Sequence, residues 1–121
     1  DGNIEYRAHV SDIGWQNWVN DGEVAGTTGR AKAIEAIQIK LTGELAEHYD
    51  IEYRTHVSDV GWQDWVKNGE VAGTTGRAKS VEGIQSDIFP YILKIGRLDC
   101  KLVNGVKKWY TSLDYIICII T

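Results

Sequence analysis

Residues 4–38 read IEYRAHVSDIGWQNWVNDGEVAGTTGRAKAIEAIQ, and residues 51–85 read IEYRTHVSDVGWQDWVKNGEVAGTTGRAKSVEGIQ. The two stretches are offset by 47 residues and are identical at 27 of 35 positions. Repeats this similar form the same substructure twice. A unit of this length cannot bury its own hydrophobic face, so we expect the copies to pack against each other or against copies in another chain.

Alternation of apolar and polar residues predicts the elements of each repeat. From Ile4 to Val10 every second residue is apolar, which is the pattern of a half-buried strand. Residues 34–41 follow the same period of two, with Ile37, Ile39 and Leu41 on one face, although their Ala, Lys and Glu content would also suit a helix. We predict strands for both segments, and at most one helical turn over residues 45–49.

These units predict an all-β fold of short antiparallel strands with pseudo-symmetry. The length suits one compact domain over residues 1–121, with internal repeats at 4–50 and 51–97. A further step of 47 residues leads to residues 98–121, which keep Trp109 but lack the Gly–Thr loop, so we expect a degenerate third unit there. Three units would suit a β-prism or a β-trefoil; the alternative is β-propeller blades completed by oligomerisation.

Composition excludes several classes of function. The 13 basic residues against 17 acidic ones give a net charge of −4, which argues against a nucleic-acid partner. No apolar run approaches the roughly 20 residues of a membrane helix, so we expect no membrane insertion. Cys100 and Cys118 could form one disulfide or remain thiols, and neither has the neighbours that a zinc site needs.

The aromatic composition favours a binding surface. Five Trp and six Tyr stand against one Phe, and Trp and Tyr suit half-exposed positions because they carry a polar tip. Trp15 and Trp18 are three residues apart and in a strand would point to opposite faces, so we expect one of each repeat's pair to be core. An indole face beside a carboxylate or amide is the requirement of a sugar site. The predicted ligand-binding residues are Asp12, Trp15, Gln16, Trp18, Glu23, Asp59, Trp62, Gln63, Trp65 and Glu70.

The remaining polar residues give no sign of catalysis. Glu35 and Glu82 share strand parity with apolar neighbours, so we expect them to point inward and to pair with Arg7 and Arg54. No nucleophile with a base, no metal cluster and no unpaired acid couple stands out in the sequence. We therefore expect no enzymatic activity, no cofactor and no metal.

Four motifs occur in the same order in both repeats. In the first they are Tyr6 to Val10, Gly14 to Trp18, Gly22 to Gly29 and Ile34 to Leu41. Together they resemble the clostridial hydrophobic repeat with a conserved tryptophan, the ChW repeat. The resemblance covers about two thirds of the chain and ends after Gln85, where the tail departs from the pattern.

The resemblance implies a secreted or cell-surface bacterial protein. Repeats of that family look like attachment or carbohydrate-binding modules, so we expect a lectin-like, multivalent module that binds glycans or a cell-surface polysaccharide. The alternative is a protein-interaction or cell-wall attachment scaffold. A homo-oligomer is compatible with either function.

Overall fold

The computed structural model describes residues 2–90 and the backbone of residues 99–103, 106–110 and 116–118. Within them, strands predominate and there is one short helix. In chain order the elements are β1 (Ile4–Val10), β2 (Gly14–Trp15), β3 (Val19–Asn20), β4 (Ile34–Leu41), α1 (Gly43–His48), β5 (Tyr49–Val57), β6 (Gly61–Trp62), β7 (Val66–Lys67), β8 (Val71–Gly73), β9 (Val81–Pro90), β10 (Asp99–Val103), β11 (Val106–Tyr110) and β12 (Ile116–Cys118).

The all-β prediction is therefore confirmed, as is the choice of strand over helix for residues 34–41. The chain divides into two compact units, Asp1–Phe89 and Pro90–Thr121. No described helix has both the length and the apolar character needed to span a membrane.

Each repeat is organised around its first long strand. Strand β1 pairs antiparallel with β4 along its length, from Ile4 opposite Leu41 to His9 opposite Ala36. Its other edge is shared by the short strands β2 and β3. Strand β5 repeats this arrangement in the second copy with β6, β7 and β9.

The two repeats are joined by a strand from the second copy. Strand β8 adds to the free edge of β4, so the first sheet contains five strands, of which β8 comes from the second repeat. The buried cluster lies at this junction, with Ile37 and Leu41 from the first repeat against Ile51, Tyr53 and Ala72 from the second. The expectation that the copies pack against each other is confirmed, because neither copy supplies this cluster alone.

The described part of the C-terminal unit is an antiparallel meander, β10–β11–β12, in which Cys100 lies opposite Trp109 and Lys108 opposite Cys118. The side chains of Cys100 and Cys118 lie outside the described part of the chain, and so would a disulfide between them. The degenerate third unit at residues 98–121 stays a prediction.

Candidate functional site

The polar face of β1 provides the base of the candidate site. Side chains alternate along a strand, so Ala8 and Val10 are buried while Arg7 and His9 emerge on the opposite face. The β1–β2 register places Trp15 opposite His9, and the two rings meet edge to face with centroids 5.2 Å apart.

Arg7 organises both tryptophans of the first repeat. Its guanidinium carbon lies 4.7 Å from the ring centre of Trp15 and 4.9 Å from that of Trp18, within the range of cation–π attraction. Its Nε donates a hydrogen bond of 2.7 Å to Oε1 of Gln38 on β4. The indoles and the guanidinium therefore form one stacked group on the surface.

The second repeat builds the same group with nearly the same dimensions. Arg54 lies 4.7 Å from the centre of Trp62 and 4.9 Å from that of Trp65, and its Nε donates to Gln85 at 2.7 Å. His56 meets Trp62 edge to face at 5.2 Å. The chain thus carries two copies of one surface.

The expectation that one tryptophan of each pair is core is wrong. Trp62 and Trp65 are 43% and 46% exposed, and Trp15 and Trp18 are half-buried. Alternation along a strand does not apply to them, because β2 ends at Trp15 and Trp18 follows a break in the strand. The irregular backbone turns both indoles toward the same arginine.

The two copies differ at one cation. Nζ of Lys40 lies 4.2 Å from the ring centre of Trp18, so that indole contacts two cations. The equivalent position in the second repeat is Asp87. Among the described residues, Arg54 is the cation stacked on Trp65. Trp65 therefore keeps more of its surface available than Trp18 does.

An open depression of about 480 Å³ adjoins the second group. Its polar lining comes from Gln63 and Asp64. The Gln63 amide grips the backbone of Gly73, accepting from its N–H at 2.7 Å and donating to its carbonyl at 3.3 Å. Asp64 is exposed and makes the depression locally acidic. The lining residues are Trp62, Gln63, Asp64, Val66, Val71 and Gly73.

Most of the predicted polar ligands have structural roles. Gln16 holds Gly26 as Gln63 holds Gly73, with bonds of 2.7 and 3.1 Å. Glu23 accepts a bond of 2.8 Å from the N–H of Asn20, and Glu70 accepts one of 2.9 Å from Lys67 N–H.

The two predicted aspartates form ion pairs with lysines. Asp12 lies 2.7 Å from Lys32 and Asp59 lies 3.3 Å from Lys79. The hydrogen bond from Lys32, with its charge, lowers the pKa of the Asp12 carboxyl. Asp12 lies just after the C-terminal end of β1. Glu23 bonds β3, which pairs with the N-terminal end of β1, so the two carboxylates do not lie in one site.

The predicted partner of Glu35 is also wrong. Glu35 is buried as expected, but its Oε1 lies 3.1 Å from Nδ1 of His9, and Arg7 is turned to the indoles instead. Glu82 makes the same contact with His56 but its side chain is 52% exposed. No cluster of three or more potential metal ligands occurs among the described residues.

Sequence reasoning missed that the two arginines belong to the tryptophan groups. The available signal was parity: Arg7 and His9 share one face of β1, and Gln38 and Lys40 share the corresponding face of β4. Recognising the site required the register between these strands and the position of the indoles beside them.

Comparison with known families locates both groups within a recognised repeat. The profile described as "ChW: Clostridial hydrophobic W" matches residues 9–43 and 56–86, which contain both tryptophan pairs. Comparisons with curated proteins and with solved structures gave no match. The two matched segments cover more than half of the chain, in the order and spacing of the tandem repeat, and the chain belongs to the Clostridial hydrophobic W family.

Proposed function

We propose that this chain is a non-enzymatic carbohydrate-binding module of a secreted or cell-surface bacterial protein, with one site per intact repeat. The observation that carries the proposal is the surface indole pair around Arg7, repeated around Arg54 with the same distances. A merely structural tryptophan would be expected inside the core, whereas Trp62 and Trp65 are exposed and Trp15 and Trp18 are half-buried.

Sugar recognition needs an aromatic face and polar groups in reach of each other. Pyranose rings expose polarised C–H groups that stack on an indole, while their hydroxyls bond to carboxylates and amides. The second repeat offers Trp62 and Trp65 on the surface, with the exposed Asp64 carboxylate beside the depression. Asn17 occupies the position of Asp64 in the first repeat, so the same site there would be neutral.

The two sites are expected to differ in strength. Lys40 covers part of the Trp18 ring, and a ligand must displace this cation before it can stack there. A cation–π contact at an exposed site contributes about 0.5–1 kcal/mol, or a factor of about 2 to 5 in affinity. The second repeat should therefore bind more tightly.

Two weak sites on one chain gain apparent affinity when a polysaccharide engages both. The prism, trefoil or propeller arrangement expected from the sequence belongs to this proposal, since each would display the sites around one axis. Binding to repeating polymers should accordingly exceed binding to the free monosaccharide.

The test compares Trp65→Ala with its matched control Trp18→Ala. Wild-type protein is screened on a glycan array, and the best ligand is titrated while indole fluorescence is followed. Trp65→Ala should abolish the tighter phase, whereas Trp18→Ala should remove only the weaker one. Circular dichroism of both variants checks that the β structure is intact.

A blank array at high protein concentration, or tight sugar binding that neither substitution changes, would refute the proposal. The alternative function is a protein-interaction or cell-wall attachment scaffold. It is favoured by the pairing of Trp with Arg, the residues that dominate protein–protein hot spots. A partner captured from bacterial envelope extract and not released by free sugars would support that function instead.

A further inference from the structure

The junction between the repeats is a complete strand-addition interface. The segment Val71–Gly73, strand β8, pairs antiparallel with β4, with Ala72 opposite Ile37 at the centre. Both side chains are buried there, Ile37 to 7% exposure. Three hydrogen bonds flank the paired residues: Gly69 N–H to the Ile39 carbonyl at 2.7 Å, Thr74 N–H to the Glu35 carbonyl at 3.0 Å, and Gln38 Nε2 to the Gly69 carbonyl at 2.9 Å.

The first repeat has its own copy of the inserting segment, but no described strand pairs with it there. Residues 24–26 are again Val-Ala-Gly, but among the described elements they form no strand. Val24 is 71% exposed. We call residues 24–26 the docking segment.

The second repeat has its own copy of the receiving strand, β9, and no described strand pairs with its outer edge. Among the described strands, β9 pairs with β5 alone. Ile84, which corresponds to Ile37, is 51% exposed. We call the outer edge of β9, at residues 82–86, the receiving edge.

The docking segment is held ready in the conformation that β8 uses. Gly26 has a φ of +107° and Gly73 a φ of +105°. Gln16 grips Gly26 through the same two hydrogen bonds by which Gln63 grips Gly73. Gln16 therefore holds the docking segment in the conformation of β8, although no described strand pairs with it.

The receiving edge keeps the groups that the internal junction uses. Ile84 and Gln85 are identical to their counterparts, and the flanking main-chain bonds do not depend on side chains. Gly83 replaces Ala36, which leaves more room for the incoming Gly26. Ser86 replaces Ile39 and removes one apolar contact.

These two surfaces match each other, and neither has a strand partner in the part of the chain that the structure describes; we propose that copies of this chain associate head to tail. The docking segment of one copy adds to the receiving edge of the next, in the register of β8 on β4. The contact joins two different surfaces, so each copy can bind one neighbour at either end, and the assembly is a ring or a filament according to the rotation per step.

The contact between copies is weaker than the internal junction. Inside the chain, α1 tethers the repeats and keeps the effective concentration of β8 near β4 high, on the order of millimolar for a short link. Copies in solution lack that tether and repel each other through the net charge of −4. Association should therefore rise with protein concentration and with added salt, which screens the repulsion.

The test uses one variant for each surface. Ile84→Lys places a charge on the receiving edge, and Ala25→Lys places one on the docking segment, where Ala72 in the internal junction is buried. The control Ile13→Lys adds the same charge at an exposed turn residue outside both surfaces. Mass is measured by light scattering and analytical ultracentrifugation up to about 100 μM, where a Kd of about 10 μM gives mostly associated protein.

Wild type and Ile13→Lys should form species larger than the 13.6-kDa chain, and each surface variant alone should remain a monomer. A mixture of Ile84→Lys and Ala25→Lys should form a dimer and stop there, because each variant keeps one complementary surface. This result would distinguish the proposed contact from non-specific association.

Three results would overturn the proposal. The first is a wild-type chain that stays monomeric over the whole concentration range, in particular if amide exchange shows the receiving edge protected within that monomer. The second is an assembly that both surface variants still form. The third is a mixture of variants that fails to dimerise although circular dichroism shows each to be folded.

Discussion

The hydroxyl of Tyr53 links the two repeats at the centre of the buried cluster. It donates to the carbonyl of Glu70 within its own repeat and accepts from the N–H of Ile39 in the other repeat at 3.1 Å. Tyr53 has no exposed surface. Tyr53→Phe removes the hydroxyl while keeping the ring that fills the core.

The expected loss follows from the two bonds and from the groups left behind. A typical intramolecular hydrogen bond contributes about 1 kcal/mol, and a buried group left unpaired costs about 1–3 kcal/mol. Tyr53→Phe should therefore lower the free energy of unfolding by about 2–3 kcal/mol, because Ile39 N–H loses its acceptor beside the cluster.

Tyr6→Phe is the matched control. The Tyr6 hydroxyl donates to the carbonyl of Glu23, as Tyr53 does to Glu70, but no residue of another repeat donates to it among the described contacts. Tyr6 is also only half-buried. Its substitution should cost about 1 kcal/mol or less.

The assay is urea unfolding at low protein concentration, followed by far-ultraviolet circular dichroism and by tryptophan fluorescence. Coincident transitions from the two probes establish that one unfolding free energy is defined. Equal losses for Tyr53→Phe and Tyr6→Phe, within about 0.5 kcal/mol, would refute the reasoning, since the inter-repeat bond would then contribute nothing measurable.

Three further outcomes are expected. Lys40→Asp should expose Trp18 and raise sugar affinity at the first site about 2- to 5-fold, by removing the cation that competes for the ring; an isothermal titration that resolves two sites checks this, and unchanged affinity would contradict it. Gly73→Ala should lower the free energy of unfolding, measured in urea, more than Gly26→Ala does. Both glycines have a positive φ, so both substitutions strain the backbone. A Cβ at Gly73 would also lie 2.4 Å from a backbone oxygen of β4, whereas a Cβ at Gly26 would approach only a side chain, at 3.2 Å. Burial raises the pKa of the Tyr53 hydroxyl above its ordinary value of 10.0. The unfolded chain therefore releases that proton first, and the free energy of unfolding should fall as pH rises above about 10. Tyr53→Phe should reduce that fall, and a variant whose free energy of unfolding falls as steeply as that of the wild type would count against this reasoning.

The strands of each repeat could be predicted because their patterns are local. From Ile4 to Val10 and from Ile34 to Leu41, burial on one face alone determines which positions are apolar. The buried Glu35 could be predicted from the same parity. Its partner could not, since Arg7 and His9 share one face of β1 and only the packed site decides which of them turns to the carboxylate.

The tryptophan groups depend on backbone that has no simple period. Trp15 ends β2, and Trp18 lies past an irregular segment, so their common contact with Arg7 follows from the path of that segment. A rule based on strand alternation places the two indoles on opposite faces, which is the error that the structure corrects. Both tryptophans could be singled out from the sequence, but their shared contact with Arg7 could not be predicted from their spacing.

The two Val-Ala-Gly segments show that identical residues can differ in secondary structure. The three residues are identical in the two repeats, yet only Val71–Gly73 is a strand, because only it has the edge of β4 beside it. Whether this segment forms a strand depends on whether a neighbouring strand edge pairs with it. The same reasoning implies that residues 24–26 should become a strand when a receiving edge is supplied.

The alternation of β1 and β5 also separates binding from assembly. Even-numbered residues of β1 face the core side, while Arg7 and His9 face the tryptophans; in β5, Tyr53 faces the cluster and Arg54 the indoles. Ile84 corresponds to the core-side Ile37, whereas its neighbour Gln85 bonds Arg54, so a substitution at Ile84 changes the receiving edge on the face away from the indoles. A substitution at Ile84 should change the assembly and leave the affinity of a single sugar site as it was, whereas Trp65→Ala should do the reverse. If either substitution altered both properties to the same extent, the two faces would not be independent.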